Sequence, residues 1–267
     1  CSTAPFKITD SFASYYAKNK EEVGSDLKGM ASDLAVLSDS EATDPNYQSN
    51  DYADLLINDS TNEVLESYHC FDRLYPASIT KVMTALLTLD HGNMDDEITL
   101  KHDINLTVNG AVISTLTKGD TVTVGQVFHT MLIKSANDCA VILAEYFFFS
   151  ESKFIDMMNA KAKELGATHT HFVNPNGLHD NNHYTTAYDL YLIFKEAVKY
   201  DTFVDTVSSK DYTMTYTTPK KTQINEYMQS TNYYLLNEFP VPEGVVMYGG
   251  KTGTTSMAKS CLILMTK

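Results

Sequence analysis

The spacing of apolar residues in the middle of the chain is typical of α-helices. Four of them recur at helical intervals: Val82, Ala85, Leu86 and Leu89. They predict a helix that begins near Ser78. The same periodicity predicts four further helices, over residues 124–134, 138–148, 153–165 and 186–200. The first two of these are separated by a short interruption.

Stretches rich in β-branched or alternating apolar residues lie nearer the two ends of the chain. A turn cluster at residues 58–62 separates two short runs and predicts a β-hairpin. The predicted strands and extended segments are residues 52–57, 63–68, 100–124, 203–217, 245–251 and 260–265. We therefore predict an α/β fold in which an antiparallel sheet built from both chain ends is flanked by helices. An inserted helical lobe is expected beside the sheet, with a cleft between them.

The first 48 residues are polar and weakly patterned. We interpret residues 1–48 as an N-terminal tether that leads into the domain. Within this region residues 33–38 are a candidate strand, and residues 39–51 are expected to form a loop. We expect residues 49–267 to form one domain, which is long enough to bury a substantial core.

The formal net charge of the 267 residues is −14. An acidic surface argues against binding to nucleic acid and against docking on anionic lipid. The longest strongly apolar runs, near residues 141–149 and 261–265, are far shorter than the roughly 20 residues that a membrane-spanning helix needs. The composition does not select a substrate.

The four cysteines are Cys1, Cys70, Cys139 and Cys261. Their spacing fits no thiolate metal site. Cys139 and Cys261 stand in apolar runs, which favours reduced, buried thiols, although a disulfide stays open. The chain begins at Cys1, and a mature bacterial lipoprotein begins at its lipidated cysteine. Lipid attachment at Cys1 and an arbitrary sequence boundary are both open.

Three short motifs follow one another along the chain. They are S-I-T-K at residues 78–81, S-A-N at residues 135–137 and K-T-G-T at residues 251–254. Each motif alone is weak, because S-x-x-K arises by chance in many chains. The three in this order, each in a fitting structural context, are a strong signal of a serine acyl-transfer site.

The first motif predicts a nucleophile and its base. Ser78 and Lys81 lie one helical turn apart and therefore share a face. A serine hydroxyl needs a neighbour that takes its proton, and a lysine can do so when burial or a second cation such as Lys251 lowers its pKa. The helix start also offers the Ser78 backbone N–H to a developing oxyanion. Alternatively, Ser78 is a helix cap and Lys81 a solvated lysine.

The other two motifs predict the groups around the nucleophile. Ser135 is a candidate proton relay, and Asn137 is a candidate anchor for the substrate amide. The alternative is that these residues only form an ordinary turn at a helix–loop boundary. The glycines at 249, 250 and 253 leave room for a substrate to pair along the strand edge. The candidate carboxylate-binding and oxyanion groups of this segment are Lys251, Thr252, Gly253 and Thr254. The alternative here is a glycine-rich hairpin with a solvated lysine.

These motifs resemble the active-site signature of the penicillin-recognising serine enzymes. The resemblance is closest to the low-molecular-mass D-alanyl-D-alanine carboxypeptidases. Six segments carry it: residues 75–86, 135–140, 172–178, 184–190, 250–255 and 260–262. The similarity therefore extends from about residue 52 to the end of the chain.

The resemblance implies that a peptidoglycan stem peptide ending in D-Ala-D-Ala acylates Ser78, that D-alanine is released and that the acyl-enzyme is hydrolysed. It implies inhibition by β-lactam antibiotics, no metal or organic cofactor, and an extracytoplasmic or secreted location. Members of the family normally continue into another strand and a closing helix. The sequence stops at residue 267, so we expect either a fragment or a sheet that is completed differently.

Three rival interpretations remain. A serine β-lactamase shares the motifs but needs a deacylating base, usually a glutamate, and the loop at residues 174–182 has none. A non-catalytic peptidoglycan- or β-lactam-binding protein would be expected to carry a damaged motif. A metal site would use the clustered histidines, although loop histidines are usually solvated. They are His169, His171, His179 and His183.

Overall fold

The computed structural model describes residues 33–37, 51–106, 108, 110–148 and 150–267. The chain divides into two compact units. The described residues of the first unit are 33–37 and 55–68, and those of the second are 51–54 and all those described from residue 69 onwards. Cys1 and most of the predicted tether lie outside the described residues. The boundary at residue 48 stays a prediction.

The helices expected from the apolar periodicity are present. Within the described residues they are α1 (Lys81–His91), α2 (Val124–Ile133), α3 (Asn137–Phe148), α4 (Glu151–Glu164), α5 (Ala187–Ala197) and α6 (Asp201–Val207). A 3-10 turn, Ala77–Thr80, leads directly into α1. The five predicted helices are confirmed, and α6 is an addition.

Three of these helices begin at a residue whose side chain caps the helix. The hydroxyl oxygens of Thr123, Ser150 and Thr186 each accept a hydrogen bond from the backbone N–H three residues later, at 3.2, 3.4 and 3.0 Å. Such a cap satisfies a donor that the first helical turn leaves unpaired. The caps fix where α2, α4 and α5 begin.

The strands form short sheets. They are β1 (Asp54–Asn58), β2 (Glu63–Tyr68), β3 (Glu97–Thr99), β4 (Thr121–Thr123), β5 (Asp211–Thr217), β6 (Gln223–Gln229), β7 (Met247–Thr255) and β8 (Lys259–Thr266). β1 pairs with β2, and β7 pairs antiparallel with β8. The strands from β3 to β6 form an antiparallel sheet in chain order. The predicted α/β class, with antiparallel sheets flanked by helices, is confirmed.

Three strand predictions are wrong in part. Residues 33–37, the described part of the candidate strand, are turn and coil. Residues 203–207 belong to α6, because Phe203 and Val207 lie four residues apart and bury the same helical face. The described residues between β3 and β4 are loop. The end of this loop is held by the Asp120 carboxylate, which accepts from the backbone N–H and the hydroxyl of Thr117 at 2.8 and 3.0 Å.

Helix α1 lies at the centre of the second unit. It contacts α2, α3 and α5, and every residue from Lys81 to Thr88 is buried. The large apolar side chains around it include Phe128, Met131, Leu143 and Phe154. A lysine in the first turn of such a helix is enclosed by the core. Among the described residues, no helix is long and apolar enough to cross a membrane.

Candidate active site

The first motif forms a tight turn at the start of α1. Pro76 precedes the 3-10 turn, and its carbonyl accepts from the Ile79 N–H at 3.1 Å. This turn presents Ser78, which is half-buried, over the fully buried Lys81. The Lys81 Nζ donates to the Ser78 Oγ at 2.8 Å. The spacing of three residues therefore gives the predicted contact.

Lys81 has three acceptors inside the core. Besides the Ser78 Oγ, its Nζ donates to the Asn137 Oδ1 at 2.9 Å and to the Asn176 carbonyl at 2.6 Å. Burial first, and the charge of Lys251 second, hold the pKa of Lys81 well below its usual value, while nearby acidic groups oppose the shift. A lysine with a lowered pKa can exist as the neutral amine that accepts a proton.

The second motif fills the break between α2 and α3. Ser135 has a φ of +63°, a left-handed conformation that a helix cannot propagate. Asn137 begins α3, and the Val112 carbonyl accepts from both its backbone N–H at 2.8 Å and its side-chain amide at 3.0 Å. With its amide nitrogen held in this way, the Asn137 Oδ1 faces Lys81. Lys134, just before the break, forms an ion pair with Glu226.

The third motif brings a second buried lysine to the same place. Lys251 lies on β7, and its Nζ donates to the Ser135 Oγ at 2.9 Å and to the Thr252 carbonyl at 2.8 Å. Burial lowers the pKa of Lys251 to about 7. Two lysines, Lys81 and Lys251, thus flank the Ser78 and Ser135 hydroxyls in one buried site.

The rest of this motif runs along the same strand. A Cβ added to Gly253 would lie 2.9 Å from the Ser78 nitrogen and 3.0 Å from the Pro76 carbonyl, so only glycine fits against the nucleophile turn. Thr252 is half-buried and Thr254 is exposed. The hydroxyls of Thr252 and Thr231 are 2.5 Å apart. The strand therefore presents hydroxyls beside the turn that holds Ser78.

Three residues at the site were not predicted from the motifs. Asn176 contributes a carbonyl to Lys81, Thr231 contributes a hydroxyl to Thr252, and His183 contacts Thr80 within the first motif. His183 is 2% exposed, so the expectation of a solvated loop histidine is wrong for this residue. The only signal for Asn176 and His183 was that they lie in or beside segments of family resemblance.

Gly177 offers a test of how tightly the site is closed. Its φ is +86°, and an added Cβ would lie 1.9 Å from the Ala77 carbonyl oxygen. We expect Gly177→Ala to lower the free energy of unfolding by roughly 2 kcal/mol or more, because both the conformation and the clash are unfavourable. Chemical denaturation measures this change.

Gly244→Ala is the matched control. Gly244 has a φ of +84°, but nothing lies within 4 Å of an added Cβ. It therefore carries the conformational cost without the clash. Equal losses in the two variants would contradict the close contact between Gly177 and the nucleophile turn.

The histidines that were candidate metal ligands do not form a metal site in the described part of the chain. In the part of the chain that the structure describes, histidine, cysteine, aspartate and glutamate form no group of three that could hold a metal ion. Cys139 and Cys261 are free thiols, and Cys261 is only half-buried. The loop at residues 174–182 contains one carboxylate, the exposed Asp180.

These contacts bring together the groups that a serine acyl-transfer site requires: a hydroxyl beside a buried amine, and a second hydroxyl–amine pair. Residues 39–267 match the D-alanyl-D-alanine carboxypeptidase family. The chain belongs to this family.

Individual relatives support the assignment. D-alanyl-D-alanine carboxypeptidase DacF of Bacillus subtilis (strain 168) is 36% identical over 219 residues, which are 80% of this chain and 53% of that protein. A D-alanyl-D-alanine carboxypeptidase of Streptomyces sp. (strain K15) is 30% identical over 78% of this chain and 73% of that protein. The crystal structure of the Streptomyces K15 DD-transpeptidase superposes with a TM-score of 0.71 at 28% identity, covering 80% of this chain and 83% of that one.

The chain spans about half the length of several curated relatives that it matches. The share is 53% for DacF of Bacillus subtilis and 50% for D-alanyl-D-alanine carboxypeptidase DacC of Escherichia coli (strain K12), which is 30% identical over 76% of this chain.

Proposed function

We propose that the protein is a serine-type D-Ala-D-Ala carboxypeptidase, which removes the terminal D-alanine from peptidoglycan pentapeptides. The observation that carries the proposal is the Lys81 Nζ, buried with a lowered pKa and 2.8 Å from the Ser78 Oγ. Membership of the D-alanyl-D-alanine carboxypeptidase family supports the choice of substrate.

The first half of the reaction forms an ester on Ser78. Neutral Lys81 takes the hydroxyl proton as the Ser78 Oγ attacks the carbonyl carbon between the two D-alanines. The backbone N–H groups of Ser78 and Thr254 stabilise the oxyanion. The proton then passes through the Ser135 Oγ to the leaving nitrogen, the C–N bond breaks, and D-alanine departs.

The second half returns the enzyme to its starting state. Water attacks the ester carbonyl, Lys81 accepts the proton of the water, and this proton restores the Ser78 hydroxyl as the C–O bond breaks. Asn137 holds the substrate amide near Lys81. Lys251, with the hydroxyls of Thr252 and Thr254, binds the terminal carboxylate of the substrate along β7, where Gly253 leaves room for it.

The activity is tested with a muropeptide that carries the pentapeptide. After incubation with the protein, mass spectrometry is expected to show the loss of a single alanine, and no change with Ser78→Ala. A cross-linked dimer would indicate a transpeptidase, and cleavage at another bond an endopeptidase; either result would refute the proposal as stated.

We expect β-lactams to acylate Ser78 and the resulting acyl-enzyme to be hydrolysed slowly. The loop at residues 174–182 has no glutamate that could activate water for deacylation. We therefore expect a labelled penicillin to remain on the protein long after free label is removed, as gel fluorescence over time would record. Rapid turnover of a chromogenic cephalosporin would support the β-lactamase alternative instead.

The pH dependence of acylation tests the two lysines. Because the base must be neutral, the rate constant is expected to rise with pH as Lys81 loses its proton. Lys251→Met removes the charge that helps to lower the pKa of Lys81. The acid limb of the profile should therefore move to higher pH; a shift of one unit lowers the rate about tenfold on that limb.

Lys220→Met, at an exposed lysine, is the control and should leave the profile in place. A profile that is unchanged in Lys251→Met would show that Lys251 does not tune the base.

An extracytoplasmic location follows from the proposed substrate, since peptidoglycan lies outside the cytoplasmic membrane. Labelling of intact cells with a penicillin probe that does not enter the cytoplasm tests the location. Attachment through a lipid on Cys1 stays a prediction, which radiolabelled fatty acid would test on the full-length protein.

A further inference from the structure

The residue before Ser78 adopts an unusual backbone conformation. Ala77 has a φ of +47°, a left-handed value that is uncommon for a residue with a Cβ. A conformation of this kind persists only where neighbouring groups hold it. The Ala77 carbonyl oxygen accepts from the Thr80 hydroxyl at 2.8 Å and lies against Gly177. Thr80 therefore holds the turn from inside the first motif.

A buried histidine determines the direction of that hydrogen bond. The His183 Nδ1 accepts from the Val173 backbone N–H at 3.1 Å, so this nitrogen carries no proton. Its Nε2 must then carry the proton and donate to the Thr80 Oγ1 at 2.7 Å. Because the Thr80 Oγ1 accepts from His183, the Thr80 hydroxyl donates its own hydrogen to the Ala77 carbonyl oxygen. The hydrogen bonds run one way, from Val173 through His183 and Thr80 to the carbonyl of Ala77.

His183 is suited to a fixed, neutral role. It is 2% exposed, and its ring meets Phe172 edge to face with 5.6 Å between the ring centres. Burial lowers the pKa of His183 to about 4; His171, His179 and Lys81 act in the same direction and Asp180 against it. The proton on the Nε2 is therefore a constant feature of the site at neutral pH.

The peptide unit that this chain of bonds holds also carries the proposed oxyanion donor. The Ala77 carbonyl and the Ser78 N–H belong to one planar peptide unit, so fixing the carbonyl direction fixes the N–H direction. The Val173 end of the chain begins the loop whose Asn176 carbonyl accepts from Lys81 at 2.6 Å. The hydrogen bonds of His183 thus lead to the peptide unit of the nucleophile on one side and to the loop that contacts the base on the other.

We infer that His183 and Thr80 form a positioning pair, which aims the Ser78 N–H at the oxyanion of the acyl-transfer reaction through the Ala77 carbonyl. This role rests on the proposed function of Ser78. Neither residue touches the substrate. Their loss should therefore slow acylation while the initial, non-covalent binding of the substrate or β-lactam changes little.

Matched substitutions at His183 and Thr80 separate positioning from packing. His183→Gln places an amide nitrogen near the Nε2 position and keeps the donor to Thr80. His183→Asn places an amide near the Nδ1 position and loses that donor. Thr80→Val keeps the shape of the side chain without its hydroxyl, and Thr80→Ser keeps the hydroxyl.

The experiment measures the acylation rate constant at saturating labelled penicillin and, separately, the dissociation constant of the non-covalent complex. His183→Asn and Thr80→Val are expected to acylate about tenfold more slowly or worse, with the dissociation constant changed less than about threefold. His183→Gln and Thr80→Ser should recover most of the rate. The double variant His183→Asn with Thr80→Val should be no slower than the worse single variant, because both break the same chain.

Thr88→Val is the control, since Thr88 is a buried threonine of α1 whose hydroxyl donates to the Thr84 carbonyl at 2.8 Å. The positioning role is overturned if Thr80→Val acylates as fast as Thr88→Val, or if His183→Gln is as slow as His183→Asn. If the wild-type protein takes no label at all, the proposed function fails, which is a different result from labelled wild type with unaffected variants.

Discussion

Replacement of Ser78 by alanine is expected to abolish covalent labelling by penicillin and to lower carboxypeptidase activity by several orders of magnitude. Removal of a serine nucleophile costs about 10⁶-fold in a well-studied serine protease. The variant should remain folded, because the lost side chain is small and half-buried. Gel fluorescence with a labelled penicillin and release of D-alanine measure the two effects.

Ser209→Ala serves as the control for Ser78→Ala. The Ser209 hydroxyl donates to the Asp205 carbonyl at 2.8 Å, at the end of α6, and takes no part in the site. This variant should label like the wild type. Persistent labelling of Ser78→Ala would mean that another group is the nucleophile. A wild-type protein that binds the probe only reversibly would support the non-catalytic alternative.

Lys81→Met is expected to separate activity from stability. General base catalysis contributes roughly 10²- to 10⁴-fold, so acylation should fall by about that factor. The free energy of unfolding should change little or rise, because burying the polar amine of Lys81 costs free energy that an apolar side chain of similar size does not. The unpaired Asn137 and Asn176 oxygens would offset part of this gain.

Two measurements on one sample decide the outcome for Lys81→Met: the labelling time course and a denaturant titration. Lys220→Met is again the control, since it makes the same change at an exposed position. Acylation of Lys81→Met at the wild-type rate would contradict the role of Lys81 as the base. A large decrease in the free energy of unfolding would contradict the view that the buried Lys81 serves catalysis and does not stabilise the fold.

Local rules, that is, residue spacing and apolar periodicity along the sequence, predicted much of the site. A spacing of three residues at a helix start was sufficient to put the Lys81 amine beside Ser78, and the contact is 2.8 Å. The break at Ser135 between two apolar helical patterns was equally clear in the sequence. Where the period of a pattern is ambiguous over a few residues, local rules fail. Phe203 and Val207 fit an alternating strand pattern, but they form one face of α6.

The contacts that close the site were beyond local rules, because they join segments far apart in the chain. Asn176 meets Lys81 across 95 residues, and His183 meets Thr80 across 103. No periodicity marks a backbone carbonyl as a ligand. Likewise, a histidine in a polar loop cannot be distinguished from a buried one until the fold encloses it, and His183 was therefore grouped with three histidines that face other surroundings.

The most direct test of the account is mass spectrometry of the wild-type protein after incubation with penicillin. Because the β-lactam ring opens on acylation without a leaving group, the intact protein should gain the full mass of one penicillin. Trypsin should release the adduct on residues 74–81, and fragmentation should locate it at Ser78. An adduct on any other residue, or no gain in mass, would contradict the central claim that Ser78 is the acylated nucleophile.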